Sequence, residues 1–262
     1  MVDKLQEQKR LIRNQIRARE AEIALFVERV KKIIERATRD LVATVETVET
    51  IESLNVIANF EQVLASAGLR DELKNLRATY AAELKSIQQT FAAASFDTND
   101  FFGGIDRVGI ETLIKSDFDK VSNVISRYGT DVKAQVARSV LVGQRIDLDA
   151  LQESTGPRIA NQIATEIQTG MAAFNRTVTV TKAKDLLGED PSFLYLGQFD
   201  KVTRPFCQGL LSKRSPAIYT LSEINSMSNG QLEPVIAYGG GYNCRHEWRP
   251  ISNELRQELY GA

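Results

Sequence analysis

Lys9 to Val45 reads KRLIRNQIRAREAEIALFVERVKKIIERATRDLVATV, and the period of this stretch decides the fold class. Ile12, Ile16, Ile23, Val27, Val30, Ile34, Ala37, Leu41 and Val45 recur three or four residues apart, with one gap of seven. Neither Gly nor Pro interrupts the run, and opposite charges sit a turn apart, as at Glu28 and Lys32. The spacing predicts one long amphipathic helix over residues 3–48. Its apolar stripe needs a partner along its whole length, either another helix of the chain or the groove of an oligomeric neighbour.

Working outward, the same period continues. A second helix is expected over 51–67, stopped by Gly68, and a third over 71–94 with Leu73, Leu76, Tyr80, Leu84, Ile87 and Phe91 as its stripe. Three such helices bury their stripes against one another as an antiparallel bundle. Residues 95–104, rich in Asp, Asn and Gly, break the pattern, with Phe101 and Phe102 as anchors for the crossing. Helix resumes over 108–144, interrupted at Gly129. Thr155-Gly-Pro157 offers another helix start, and Ile159, Ile163, Ile167, Met171 and Phe174 continue on one face towards a cap at Gly188. The β-branched run Thr177–Thr181 leaves a break or a strand open there. This gives three regions: an N-terminal helical region for docking and assembly (1–95), a helical connector (96–154) and a C-terminal module (155–262). The expected fold is mainly α, with long N-terminal amphipathic helices and a bundle followed by a small α+β, loop-rich module.

Bulk composition excludes several classes of function. Lys plus Arg number 33 and Asp plus Glu 34, for a net charge of −1, so the chain as a whole is not a coat for nucleic acid. Two cysteines are too few for a disulfide framework, no stretch approaches a bilayer span, and the charged N-terminus lacks the apolar core of a signal peptide. A soluble protein made in a cytoplasm, without a membrane partner, is expected. Local charge differs from the average: Lys9, Arg10, Arg13, Arg17 and Arg19 crowd the first helix. They are read either as a solvated face or as a contact surface for phosphates or an acidic partner.

After about residue 190 helical periodicity fades and Gly, Pro, Tyr and Trp increase; this region holds both cysteines and the single histidine. In Asn243–Arg249, read as extended, Cys244, His246 and Trp248 share one face while Arg245, Glu247 and Arg249 form an alternating charge row on the other. Gly239, Gly240 and Gly241 permit a tight entry to it. Asp200, Thr203 and Arg204 precede Cys207 in a turn-forming arrangement, and Asp200 paired with Arg204 or Arg245 would pin the two halves of the module. Cys207, Cys244 and His246 are zinc-type ligands, but three fall short of the usual four of a structural site. Two buried cysteines beside a hydrogen-bonded histidine, or a Cys207–Cys244 disulfide, are the other readings. A Cys–His nucleophile pair lacks an orienting third group, and no phosphate-binding loop or nucleophile elbow is present, so no enzymatic activity is expected.

The order Tyr195-x-Gly197-x-x-Asp200-x-x-Thr203-Arg204-x-x-Cys207, followed by Cys244-Arg245-His246-x-x-Arg249-Pro250, resembles the C-terminal module of the phage Mu F-like minor head proteins, or phage head morphogenesis proteins. Phe174-Asn-Arg176-Thr177 resembles the Arg-Thr element preceding that module. The likeness covers roughly residues 155–250. This chain departs from the commoner pattern of an early Cys-x-x-Cys and a late Cys-Arg-Cys: Cys207 stands alone, and His246 takes the second late position. The resemblance implies a capsid-associated virion protein made in the host cytoplasm. It would act in several copies at or near the portal, with portal or major capsid protein as partner, and with ejection alongside DNA, as in some relatives, a further option. A DNA-contacting internal head protein is the alternative, and a Cys/His enzyme or toxin-like effector a third.

Overall fold

The computed structural model describes residues 2–48 and 50–260, and it is mainly helical with a small antiparallel sheet near the C-terminus. In chain order the elements are α1 (Val2–Val45), α2 (Thr50–Ala58), α3 (Phe60–Leu64), a π-helical turn (Ala65–Leu69), α4 (Arg70–Ala93), α5 (Gly104–Leu141) and α6 (Leu148–Leu187). Then follow β1 (Ser192–Leu196), α7 (Pro205–Lys213), β2 (Ile218–Thr220), α8 (Leu221–Asn225), α9 (Val235–Tyr238), β3 (Glu247–Ile251) and α10 (Asn253–Tyr260). The chain groups into two compact units. One comprises Met1–Ala21, Thr79–Ile114 and Gln168–Ala262, the other Glu22–Ala78 and Lys115–Ile167, so the divisions fall inside α1, α4, α5 and α6.

Among the described residues the second unit is built of helices joined by short turns. Ile23, Phe26, Val30, Ile34, Ala37 and Leu41 of α1 are buried, as are Val121, Val124, Tyr128 and Val132 of α5. The Thr38 and Tyr128 hydroxyls meet at 3.0 Å within this core. Phe26 takes the buried position expected of Val27, which is half-buried. Two expectations are corrected here. The helix predicted over 51–67 is broken at Asn59, and Gly68 makes a kink rather than a stop: at φ +106° it turns the chain and α4 begins two residues later. Gly129 does not interrupt α5. It is buried facing Phe60, and packing outweighs the ~1 kcal/mol helix penalty of a glycine.

α6 also starts earlier than predicted. The Asp147 carboxylate accepts the backbone N–H of Ala150 at 2.9 Å, which caps the helix two turns before Pro157. Pro157 therefore lies inside the helix on its exposed side, where water can reach the carbonyl that loses its partner. Thr177–Thr181 stays helical, because Val178 and Thr179 are buried and tertiary packing overrides their weak propensity. Gly188, at φ +90°, ends the helix as expected.

In the first unit, Phe101 is buried against Phe91, with ring centroids 5.0 Å apart, and Phe102 stacks edge-on against Phe101. Both act as anchors of the α4–α5 connection. The sheet has strand order β2-β1-β3, with Tyr195 opposite Trp248 and Leu194 opposite Arg249. Leu194, Leu196, Ile218 and Ile251 form one apolar cluster with Ile12 and Ile16 of α1. The start of the α1 stripe is thus covered by the chain's own sheet. Every residue of β1 and β3 is buried, so Glu247 and Arg249 of the predicted charge row are not at the surface, while Arg245, which precedes β3, is half-buried. Cross-strand partners share a face, so Glu247 and Arg249 point to the side where α1 packs.

Candidate functional site

The first unit buries charge. Arg19, Glu83, Arg176, Glu247 and Arg249 are each at most 8% exposed. Arg19 donates to Glu83 at 3.1 Å and to Glu247, while Asn175 also donates to Glu83. Burial disfavours the charged guanidinium of Arg19, but Glu247 and Glu83 outweigh it and hold its pKa above the ordinary arginine value. Arg249 donates to Thr90 and Gln15, both neutral, and burial lowers its pKa. Arg176 spends its guanidinium on three carbonyls, those of Ala237, Cys244 and His246, with Glu247 3.6 Å away. One side chain of α6 thereby fixes the path of residues 237–246.

That path carries the sulfur–imidazole cluster. The ligand atoms of Cys207, Cys244 and His246 all lie within 4.8 Å of one another, and all three residues are buried. The sulfurs are 3.9 Å apart, so the cysteines are free thiols rather than the disulfide considered above, and Cys244 Sγ lies 3.9 Å from His246 Nδ1. Tyr195 Oη donates to Cys207 Sγ at 3.2 Å and lies 3.9 Å from Cys244 Sγ, and the Tyr195 ring stacks on the His246 ring. His246 Nε2 is buried without a hydrogen-bond partner among the described residues.

The cysteines differ in their electrostatics. Cys244 accepts hydrogen bonds from the Cys207 thiol and the Gly240 N–H and faces Arg176 and His246, which holds its pKa well below the ordinary thiol value. The hydrogen bond to Cys244 and burial push Cys207 up. Burial, then the two sulfurs, raise Tyr195.

Two glycines are required by close approach. A Cβ on Gly240 would lie 2.3 Å from Cys207 Sγ, and one on Gly197 2.3 Å from the His246 ring. Two thiolates and an imidazole suit a thiophilic divalent cation. Zinc–sulfur bonds of about 2.3 Å at tetrahedral angles put two sulfurs about 3.8 Å apart, close to the spacing here. The residues present therefore fit such an ion.

Other predicted residues frame the cluster. Asp200 pairs with Arg245 rather than Arg204, through both carboxylate oxygens at 2.8 and 2.9 Å, which lowers the Asp200 pKa. Thr203 Oγ1 accepts the Asp200 N–H and donates within the same turn. Arg204 donates to the Gly240 carbonyl, tying that turn to the glycine loop. Farther along the module, Glu223 pairs with Arg214. Trp248 is fully buried against Tyr195, and Pro250 lies opposite Phe193 in the sheet. Thr177 is half-buried in α6, and its carbonyl accepts a hydrogen bond from the Thr181 hydroxyl one turn on.

No family model, curated protein or solved structure matches this chain.

Of the basic residues of α1, Arg10, Arg13 and Arg17 are exposed, and the side chain of Lys9 lies outside the described residues. Arg19 belongs elsewhere: it stands in the seven-residue gap of the stripe, three after Ile16 and four before Ile23, and is buried with them. Glu83 likewise lies three after Tyr80 and four before Ile87. A charge standing in register on an apolar stripe was the available signal for both, and reading charge only as surface missed it. Tyr195, quoted as the motif's aromatic, gave no separate sign of its role beside the sulfurs.

Proposed function

We propose that this chain is a structural assembly protein of a tailed-phage head, of the Mu F-like minor head type, whose C-terminal module is clipped by one zinc ion. The observation that carries this reading is how the motif residues are spent. Arg176 holds backbone carbonyls, Asp200 holds Arg245, Arg204 holds Gly240, and Cys207, Cys244 and His246 face one another. A motif consumed in its own packing suits an architectural module. Cys244 and His246 are 6% and 3% exposed, which offers no support to a nucleophile–base reading.

Virion location, several copies and docking on portal or capsid protein belong to the same proposal. Ile12 and Ile16 are covered internally, so docking at the start of α1 would use its exposed side chains instead of its stripe. Among the described residues no helix is long and apolar enough to cross a membrane. Co-expression with the portal protein of the same genome, followed by size separation at low and high salt, tests the reading. A complex that survives both conditions is expected. Absence of a complex, with salt-sensitive retention of DNA instead, would replace it with the second reading, a DNA-contacting head protein. Arg10, Arg13 and Arg17, exposed on one face of α1, favour that alternative. Replacing all three by Gln would then flatten the salt dependence of DNA binding by about 0.9 for each phosphate no longer neutralised.

A further inference from the structure

We infer that Tyr195 is the fourth donor of the Cys207–Cys244–His246 centre, which makes it a closed, four-ligand structural site with no coordination position left for water or substrate. The inference rests on the zinc reading above and adds a ligand to it. Three protein ligands leave a tetrahedral zinc ion open at one position, as in catalytic sites, whereas structural sites are closed. The choice between these turns on what faces the remaining vertex.

Tyr195 Oη faces it. The phenol oxygen lies 3.2 Å from one sulfur and 3.9 Å from the other, while the sulfurs are 3.9 Å apart and Cys244 Sγ is 3.9 Å from the imidazole. An oxygen and a sulfur on one tetrahedral zinc are separated by about 3.5 Å and two sulfurs by about 3.8 Å. The sulfur–sulfur edge therefore matches that of a tetrahedron around one ion, and the two oxygen–sulfur edges fall on either side of the expected length. The Tyr195 ring stacks on the His246 ring at 14°, so β1 delivers the phenol to the same small volume as the imidazole.

Burial closes the alternatives. Tyr195 and Trp248 are 0% exposed, and Gly240 comes so near that a single added carbon would meet Cys207 Sγ at 2.3 Å. The carboxylate of Asp200, an oxygen donor of the same module, is committed to Arg245. A fixed positive charge lies beside the centre: Arg176 donates to the backbone carbonyls of Cys244 and His246. On coordination any proton still held by the sulfurs or the phenol leaves to solvent, and two thiolates, one phenolate and one divalent cation sum to −1 beside that guanidinium. A closed centre of this kind staples β1, α7 and the approach to β3 together.

The test is zinc titration of the reduced, metal-free full chain at neutral pH, read by near-ultraviolet difference absorbance and by bound zinc per chain. One equivalent of zinc should bind, and a phenolate band should grow with it to the amplitude of one of the seven tyrosines. Tyr195→Phe should still bind one zinc, at least tenfold more weakly and without the band. Tyr219→Phe, on the neighbouring strand, should keep the band. Stoichiometric zinc binding by the unmodified chain without a phenolate band would overturn the assignment of Tyr195 while leaving the three-ligand zinc reading intact. This outcome needs no variant to fold. Failure of the unmodified chain to bind zinc would overturn both.

Discussion

Replacing Glu247 by Gln removes the carboxylate shared by two buried arginines. In the native chain Glu247 is 0% exposed, accepts from Arg19 and lies 3.6 Å from Arg176. Gln preserves the shape, so the change isolates the charge. Breaking one partner of a buried ion pair costs about 3–5 kcal/mol, because it leaves a desolvated charge uncompensated. Arg19 keeps Glu83 at 3.1 Å and Arg176 keeps its three carbonyls, so the cost belongs at the lower end, about 3 kcal/mol. With a urea m-value of about 2–3 kcal/mol/M, that lowers the unfolding midpoint by roughly 1–1.5 M. Trp248, the only tryptophan and next to Glu247, is fully buried, so its fluorescence reports this module directly. A double-mutant cycle with Arg19→Met should show the two changes coupled by more than about 1 kcal/mol. If Glu247→Gln unfolds within about 0.5 kcal/mol of the parent chain, or the cycle is additive to that level, the buried network does not hold the module and the argument fails.

Gly240→Ala and Gly197→Ala should each destabilise by about 1–3 kcal/mol through overpacking, whereas Gly103→Ala, whose Cβ meets nothing within 4 Å, should melt like the parent. Asp200, held low by Arg245, should titrate below the ordinary ~3.9 of aspartate, and Arg245→Ala should raise it, as followed by carboxyl NMR. The sign follows from that direction: the pair stabilises fully above pH ~3.9 and its contribution fades as pH falls through the lower folded pKa. Thr220 accepts the Glu223 N–H while Glu223 accepts the Thr220 N–H, so Thr220→Ala should cost about 1 kcal/mol in chemical denaturation.

Much of the architecture is legible in the order of residues. The three-and-four spacing from Ile12 to Val45 gives α1, and the run from Ile159 to Phe174 gives α6 with Gly188 at its end. These succeed because helix period and capping are local properties. The sequence reading fails where local cues meet burial. Gly129, Pro157 and Thr177–Thr181 all carry weak or adverse helix propensity, yet each lies inside a long helix. Packing along 38 and 40 residues outweighs penalties of about 1–3 kcal/mol at single positions.

The candidate site divides the same way. By itself the sequence determined a mainly helical chain, a compact C-terminal module, and Cys207, Cys244 and His246 as its ligand-type residues, because residue type and short spacing suffice for those. Only the tertiary structure decided that Asp200 takes Arg245, that Tyr195 joins the sulfurs, and that Arg19, Glu83, Glu247 and Arg249 lie inside. Arg19 finds Glu83 and Glu247 at 64 and 228 residues' separation. No local period encodes such a partner. A charge is buried only where the fold brings its counter-charge, and that is a property of the packed chain.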